Sequence, residues 1–225
     1  MIEQLPNWIN FLFLGTLIAT LGFFYLANGK PKKLMGFIVI WCFIQGFLGY
    51  AGFYRITDSV PPRFALVLLP ILLFWGYGLR PTPLKAIITV RTTHLSTFLH
   101  TVRIPVEIVL WYLYRYGTVP ELMTFEGRNF DILVGITAPL IGSLFYLGRI
   151  SKKALLAWNV IGLFLVSFIL INGILSAELP FQQFAFDRPN TGITYFPFVL
   201  LPATIVPLVI YTHITDIIKL HKEIF

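Results

Sequence analysis

Long apolar runs, each bounded by charged residues or by clusters of Pro and Gly, recur along the whole chain. A helix needs ~20 mainly apolar residues to cross the hydrocarbon core of a bilayer, and several runs reach that length. The pattern therefore predicts an all-α, polytopic integral membrane protein in which residues 1–225 form one transmembrane helical bundle. We expect seven spans, at residues 8–27, 34–54, 64–80, 96–116, 131–148, 154–176 and 196–218.

The composition agrees with a membrane protein and leaves no room for a soluble domain. Hydrophobic residues make up 57% of the 225 residues and charged residues 12%, with a mean hydropathy of +0.80. Soluble domains are typically about 45–50% apolar and about 25% charged. The lipid bilayer is thus the expected partner. The short loops and the lack of a targeting segment favour the bacterial cytoplasmic (inner) membrane.

Basic residues are distributed unevenly between the two sides that the seven spans define. Arg103 lies within the fourth span, eleven of the 17 Lys and Arg residues lie on one side, and five lie on the other: Arg55, Arg63, Arg115, Arg128 and Arg188. Because short cytoplasmic loops are enriched in Lys and Arg, the N-terminus is predicted outside and the C-terminus in the cytoplasm. The same bias explains the pI near 9.6, so we expect no nucleic-acid partner.

The fourth span carries a polar face along its whole length. At about 100° per residue, a narrow arc contains Thr93, Ser96, His100, Arg103, Glu107, Trp111 and Tyr114. Ionisable residues at membrane depth are costly and usually mark a functional site. We therefore predict that the last five residues of this stripe bind a substrate or an ion. Pro105 is expected to kink the helix, since it cannot donate to the carbonyl of Thr101.

Arg103 and Glu107 are one helical turn apart, so we expect them to form an ion pair. Two interpretations stay open at this point. The pair could only specify helix packing, or the stripe could line a polar intramembrane cavity. The favoured function is translocation of a small solute or a proton, with Glu107 as proton acceptor or cation ligand and His100 as a relay.

Two other function classes remain possible. The chain could be a membrane-embedded enzyme that acts on a lipid or an isoprenoid, with Glu107 or Glu126 as base and Arg103 or Arg128 holding an anionic headgroup. It could also be a non-catalytic receptor or a subunit of a membrane complex. Neither the substrate nor the oligomeric state follows from the sequence.

The two long outer loops, residues 117–130 and 177–195, add a second group of candidates at the outer mouth of the bundle. These are Glu126, Arg128, Asp131, Asp187 and Arg188. For Asp131 the alternative is a solvated turn that caps the fifth span, because carboxylates are favourable at helix N-termini.

Histidines suggest a third, weaker site. His94, His213 and Asp216 all fall in the cytoplasmic half, where they could relay protons or bind a metal. Neither His-x3-His nor His-Glu-x-x-His occurs, and ordinary interfacial histidines are the better explanation. The chain also lacks a Walker loop, a Gly-x-Ser-x-Gly elbow and an EF-hand loop, so no cofactor is predicted. Its single cysteine, Cys42, precludes an intramolecular disulfide.

Overall fold

A computed structural model describes residues 2, 4–57, 59 and 61–225, except for the side chains of residues 69 and 70. All regular elements in this part of the chain are helical, which confirms the predicted all-α class. Nine α-helices are present: α1 (Asn7–Ala27), α2 (Lys32–Tyr50), α3 (Ala65–Gly78), α4 (Pro81–Val90), α5 (Thr93–Leu99), α6 (Arg103–Arg115), α7 (Ile132–Tyr146), α8 (Lys152–Leu175) and α9 (Val206–Ile224), as counted over the described residues.

Among the described residues, four helical segments are long enough and apolar enough to cross a membrane. They are α1, α2, α8 and the segment Leu201–Ile224, which includes α9. Each of the other three predicted spans also contains helix, but α3 has 14 residues and α7 has 15. Such helices are only about 21–23 Å long, against a hydrocarbon core of about 30 Å. By length and composition, therefore, four of the seven predicted spans are supported.

The segment before α9 shows how proline interrupts a helix in this fold. Leu201–Ile205 forms a π-helical turn directly before α9. Pro207 has no N–H to donate to the carbonyl of Ala203, four residues earlier. The indole of Trp41 in α2 donates to that carbonyl instead, at 2.9 Å. The interruption thus ties α2 to α9.

The predicted fourth span is a composite helix. α5 and α6 are joined by a 3₁₀ turn at His100–Val102, immediately before the turn that contains Pro105. The tighter winding occurs where Pro105 leaves the carbonyl of Thr101 without its helical donor, so the predicted irregularity lies at the expected place. The 3₁₀ turn also packs against α7.

Helix α9 lies at the centre of the bundle. Most of its residues are buried, whereas α1, α2 and α8 each bury fewer than half of theirs. It packs most extensively on α8, and α5 and α6 pack between α1 and α7. Helix α4 bends away from α3 by 79° and buries none of its residues.

Candidate functional site

The inner half of the predicted stripe is enclosed by the bundle. The exposed fraction is 0% for His100, 3% for Arg103 and 2% for Glu107. These residues stand on the 3₁₀ turn and on α6, and α7, α8 and α9 surround them. Charged and polar groups so deeply buried must find partners within the protein, which makes their hydrogen bonds the first property to establish.

Arg103 pairs with Asp131, and the predicted pair with Glu107 is wrong. Nη1 of Arg103 lies 2.6 Å from Oδ1 of Asp131, the residue before α7. Helix α7 can come this close because Gly135 faces α6, where a Cβ would lie 3.0 Å from the Cβ of Arg103. Asp131 makes no side-chain cap for α7, so its predicted capping role is also wrong.

The second η-nitrogen of Arg103 contacts His213 of α9. Nη2 lies 2.7 Å from Nε2 of the imidazole, and Nδ1 on the other side of the ring lies 2.8 Å from Oδ1 of Asn159 in α8. A guanidinium can only donate, so Nε2 must accept, and Nδ1 then carries the proton and donates to Asn159. Three elements are thereby joined around one neutral histidine.

His100 stacks on His213, and no hydrogen bond joins the two rings. Their centroids are 3.9 Å apart and their planes differ by 11°. Trp158 lies at the edge of the same pair, 5.5 Å from His100. Helix α8 approaches this stack at Gly162, where a Cβ would lie 2.5 Å from Cε1 of His213. Among the described residues, neither nitrogen of His100 has a hydrogen-bond partner.

Glu107 lies apart from the arginine and is held by the loop before α7. Its Oε1 accepts a hydrogen bond from the amide of Asn129, which also donates to the carbonyl of Met123 at 3.1 Å. The amide oxygen of Asn129 accepts from the backbone N–H of Asp131 at 3.2 Å. One loop thus positions both carboxylates, and Oε2 of Glu107 has no partner among the described residues.

A cavity of about 70 Å³ opens beside Glu107. Its polar wall is formed by Glu107, Asn129, Asp131 and Asn190. The remainder is almost entirely apolar and is contributed by the start of α3, by α6, α8, the π-helical turn and the start of α9, and by the loops of residues 117–130 and 177–195. In the described part of the chain, a cavity therefore lies beside one residue of the predicted stripe, Glu107, whereas His100 and Arg103 do not line it.

The outer half of the stripe is less buried and is bound to loop residues. Tyr114 donates to Oε2 of Glu121 at 3.3 Å, and the guanidinium of Arg188 lies over its ring at 5.4 Å. Arg115 lies over the ring of Trp111 at 5.5 Å. These two aromatic residues are half-buried and do not line the cavity beside Glu107.

The predicted outer-mouth group does not form one site. Arg128 lies over the ring of Phe184 at 5.7 Å, whereas Glu126 and Asp187 are exposed. Asp131 is buried next to Arg103 and so belongs to the interior of the bundle. The remaining four residues lie at the surface, where charged side chains are ordinarily found because they stay hydrated.

The predicted histidine and aspartate cluster is also wrong. Asp216 binds Arg91 and is not paired with His213, while His94 packs on Tyr146 with ring centroids 4.9 Å apart. Within the described residues, no three His, Cys, Asp or Glu side chains lie close enough together to hold a metal ion.

Arg91 forms a buried network of hydrogen bonds that the sequence did not predict. Its Nε and Nη2 donate to the two oxygens of Asp216, at 2.6 and 3.1 Å, and Nη1 donates to Oδ1 of Asn28 at 2.5 Å. Nη2 also donates to the carbonyl of Thr212 at 3.1 Å. In the sequence analysis, Arg91 is one of the eleven basic residues counted on the predicted cytoplasmic side. No local pattern marks it, because its partners lie 63 and 125 residues away.

No family model, no curated protein and no solved structure matches this chain.

Proposed function

We propose that this protein moves a small solute or a proton across a membrane, with Glu107 as the acceptor inside the bundle. The proposal is supported by one observation above all. Glu107 is buried on the wall of a cavity, and one of its two carboxylate oxygens has no partner among the described residues. A carboxylate kept in this state needs a proton or a positively charged ligand to offset its desolvation.

Charge balance separates Glu107 from the other ionisable groups. The positive charge of Arg103 is offset by Asp131 at 2.6 Å, and His213 is neutral in the hydrogen-bonding arrangement described above. Among the described residues, that leaves Glu107 as the buried acidic group of the cluster without an ion pair. Arg103 therefore serves as a positioning residue that holds α7 and α9 together, and a cation or a proton is the species expected at Glu107.

The proposed topology has seven spans with the N-terminus outside and the C-terminus in the cytoplasm. It is supported by the uneven distribution of Lys and Arg and by the helix found within each apolar run. Since Cys42 is the sole cysteine, a Cys42→Ser chain provides a background for single cysteines. A cysteine at position 126 should react with an impermeant maleimide from outside, and one at position 33 only after permeabilisation. The opposite labelling pattern would show that the protein has the reverse orientation, with the N-terminus in the cytoplasm.

Flux through purified protein in liposomes tests the function. We expect wild-type protein to dissipate a pH gradient, read by an enclosed pH-sensitive dye, and Glu107→Gln to slow this at least about tenfold. Glu126→Gln removes the same charge from an exposed position in the neighbouring loop and should leave the flux unchanged. Unchanged flux in Glu107→Gln would reject the role of Glu107, and wild-type flux equal to that of empty liposomes would reject proton translocation.

A second candidate is an enzyme acting on a lipid or an isoprenoid. The largely apolar wall of the cavity favours it, because a hydrocarbon chain could lie there with its reactive end at Glu107. Incubation of the protein in liposomes of a natural lipid extract, followed by mass spectrometry, would show a product that Glu107→Gln does not form. No change in lipid composition over many hours would exclude this candidate.

A further inference from the structure

Two residues that each carry a buried acceptor without a partner line the same cavity in the described part of the chain. Oε2 of Glu107 and Oδ1 of Asn190 have no hydrogen-bond partner among the described residues, and both residues line the cavity. The exposed fraction is 2% for Glu107 and 1% for Asn190. Buried acceptors without donors are rare in proteins because each costs the free energy of its lost hydration. A ligand that supplies donors would satisfy both.

The amide of Asn190 is oriented by the backbone around it. Its Nδ2 donates to the carbonyl of Gly173 at 3.2 Å, and its own N–H donates to the carbonyl of Ser176 at 2.8 Å. The amide oxygen is therefore the atom left free. Glu107 is oriented in the same way, since Asn129 binds Oε1 and leaves Oε2. The two free acceptors are thus held in place before any ligand binds.

The rest of the cavity wall selects against a bare ion. It is formed largely by aliphatic side chains, including Val166, Ile169 and Leu170 of α8 and Leu201 and Val206 at the start of the last span. A metal ion would need about six oxygen ligands, and this wall offers few. An alkyl chain, by contrast, gains from contact with such a surface.

We infer that the cavity takes the ammonium group of a small amphipathic amine, which donates hydrogen bonds to Glu107 and Asn190 and places its alkyl chain against α8 and the last span. The inference rests on the proposed function in taking Glu107 as the ligand-facing acceptor. One water needs about 10–15 Å³ of such space, so about 70 Å³ holds about five non-hydrogen atoms. A four-carbon primary amine fits this size.

Thermal unfolding of the full chain in nanodiscs of zwitterionic lipid tests the inference. With n-butylamine at about 100 times its Kd, we expect the midpoint to rise by about 5 °C or more. n-Butanol and n-butyrate should give no such rise, since one lacks the positive charge and the other carries a negative one. Glu107→Gln should lose the response, and Glu126→Gln should keep it. An equal response in Glu107→Gln would overturn the inference.

Chain length provides a second measurement that leaves Glu107 intact. Val166→Leu adds a methylene group to the apolar wall, so the best-bound n-alkylamine should shorten by about one carbon. The same preference in both proteins would place the alkyl chain elsewhere and overturn the inference.

If Glu107-dependent proton flux is measured and no amine stabilises the protein, the ligand class is wrong and translocation stands. If amines bind at Glu107 and no flux occurs, translocation fails and the ligand class stands.

Discussion

The ion pair between Arg91 and Asp216 provides the sharpest test of the fold. It joins the end of α4 to α9, and Asn28 attaches the end of α1 to the same guanidinium. The side chains of Arg91 and Asp216 are both completely inaccessible to solvent. The backbone reinforces the junction, since Thr92 donates to the carbonyl of Ala27 at 2.8 Å. We expect this cluster to be the main polar connection between the ends of α1 and α4 and helix α9.

Asp216→Asn keeps the size of the side chain and removes its charge. The guanidinium of Arg91 would then be buried without a counter-ion, which typically costs about 3–5 kcal/mol. That is a large part of the ~5–15 kcal/mol by which most proteins are stable. The variant should therefore unfold at clearly lower SDS mole fraction, followed by circular dichroism of the protein in detergent micelles. We expect the midpoint of thermal unfolding to fall by about 6 °C or more.

An exposed pair in the same protein serves as the control. Lys152 and Glu223 are 2.8 Å apart but remain partly exposed, so Lys152→Gln should cost less than about 1 kcal/mol. The double variant Arg91→Met, Asp216→Leu removes both charges and should be more stable than Asp216→Asn alone. If Asp216→Asn costs no more than Lys152→Gln, Arg91 is solvated and the reasoning is refuted.

Three further substitutions and one control substitution, Gly22→Ala, test the packing and the polar contacts. Gly162→Ala would place a Cβ against the stacked imidazole of His213 in α9, and it should lower the free energy of unfolding by about 1–3 kcal/mol in chemical unfolding. In the control Gly22→Ala, the new Cβ has no atom within 4 Å, so this variant should stabilise α1 by about 0.5–1 kcal/mol. Tyr54→Phe removes the hydroxyl that donates to Gln45 at 2.5 Å and should cost about 1–3 kcal/mol in the same assay, with no loss refuting the bond. In Arg103→Lys, a single ammonium cannot replace both hydrogen bonds of the guanidinium, to Asp131 and to His213, so the free energy of unfolding should fall by about 1–3 kcal/mol. A variant as stable as wild type would show that one of the two contacts suffices.

The stripe on the fourth predicted span shows what helical periodicity can predict and what it cannot. Periodicity placed His100, Arg103 and Glu107 on one face, and all three are buried. It also suggested that Arg103 and Glu107 would pair, because residues one turn apart are neighbours on a helix. The guanidinium instead binds Asp131 and His213, which tertiary packing brings to the same point. Spacing along one helix cannot rank a local partner against partners from other helices.

Loop residues were the least predictable part of the site. Asn129 and Asn190 lie in the loops of residues 117–130 and 177–195 and were assigned no role, yet one orients Glu107 and the other lines the cavity with it. An asparagine in a loop is ordinarily a turn residue, so its type carries no sign of burial. Its role depends on the path of the loop back into the bundle.

The sequence by itself determined the all-helical class, the positions of the apolar runs and the polar face of the composite helix. These properties are local, because they depend on the order of apolar, polar and proline residues over one or a few turns. Only the tertiary structure decided that Asp131 neutralises Arg103, that Asp216 neutralises Arg91 and that Glu107 faces a cavity. Desolvation forces each buried charge to find a partner, and which partner is within reach depends on how distant helices pack.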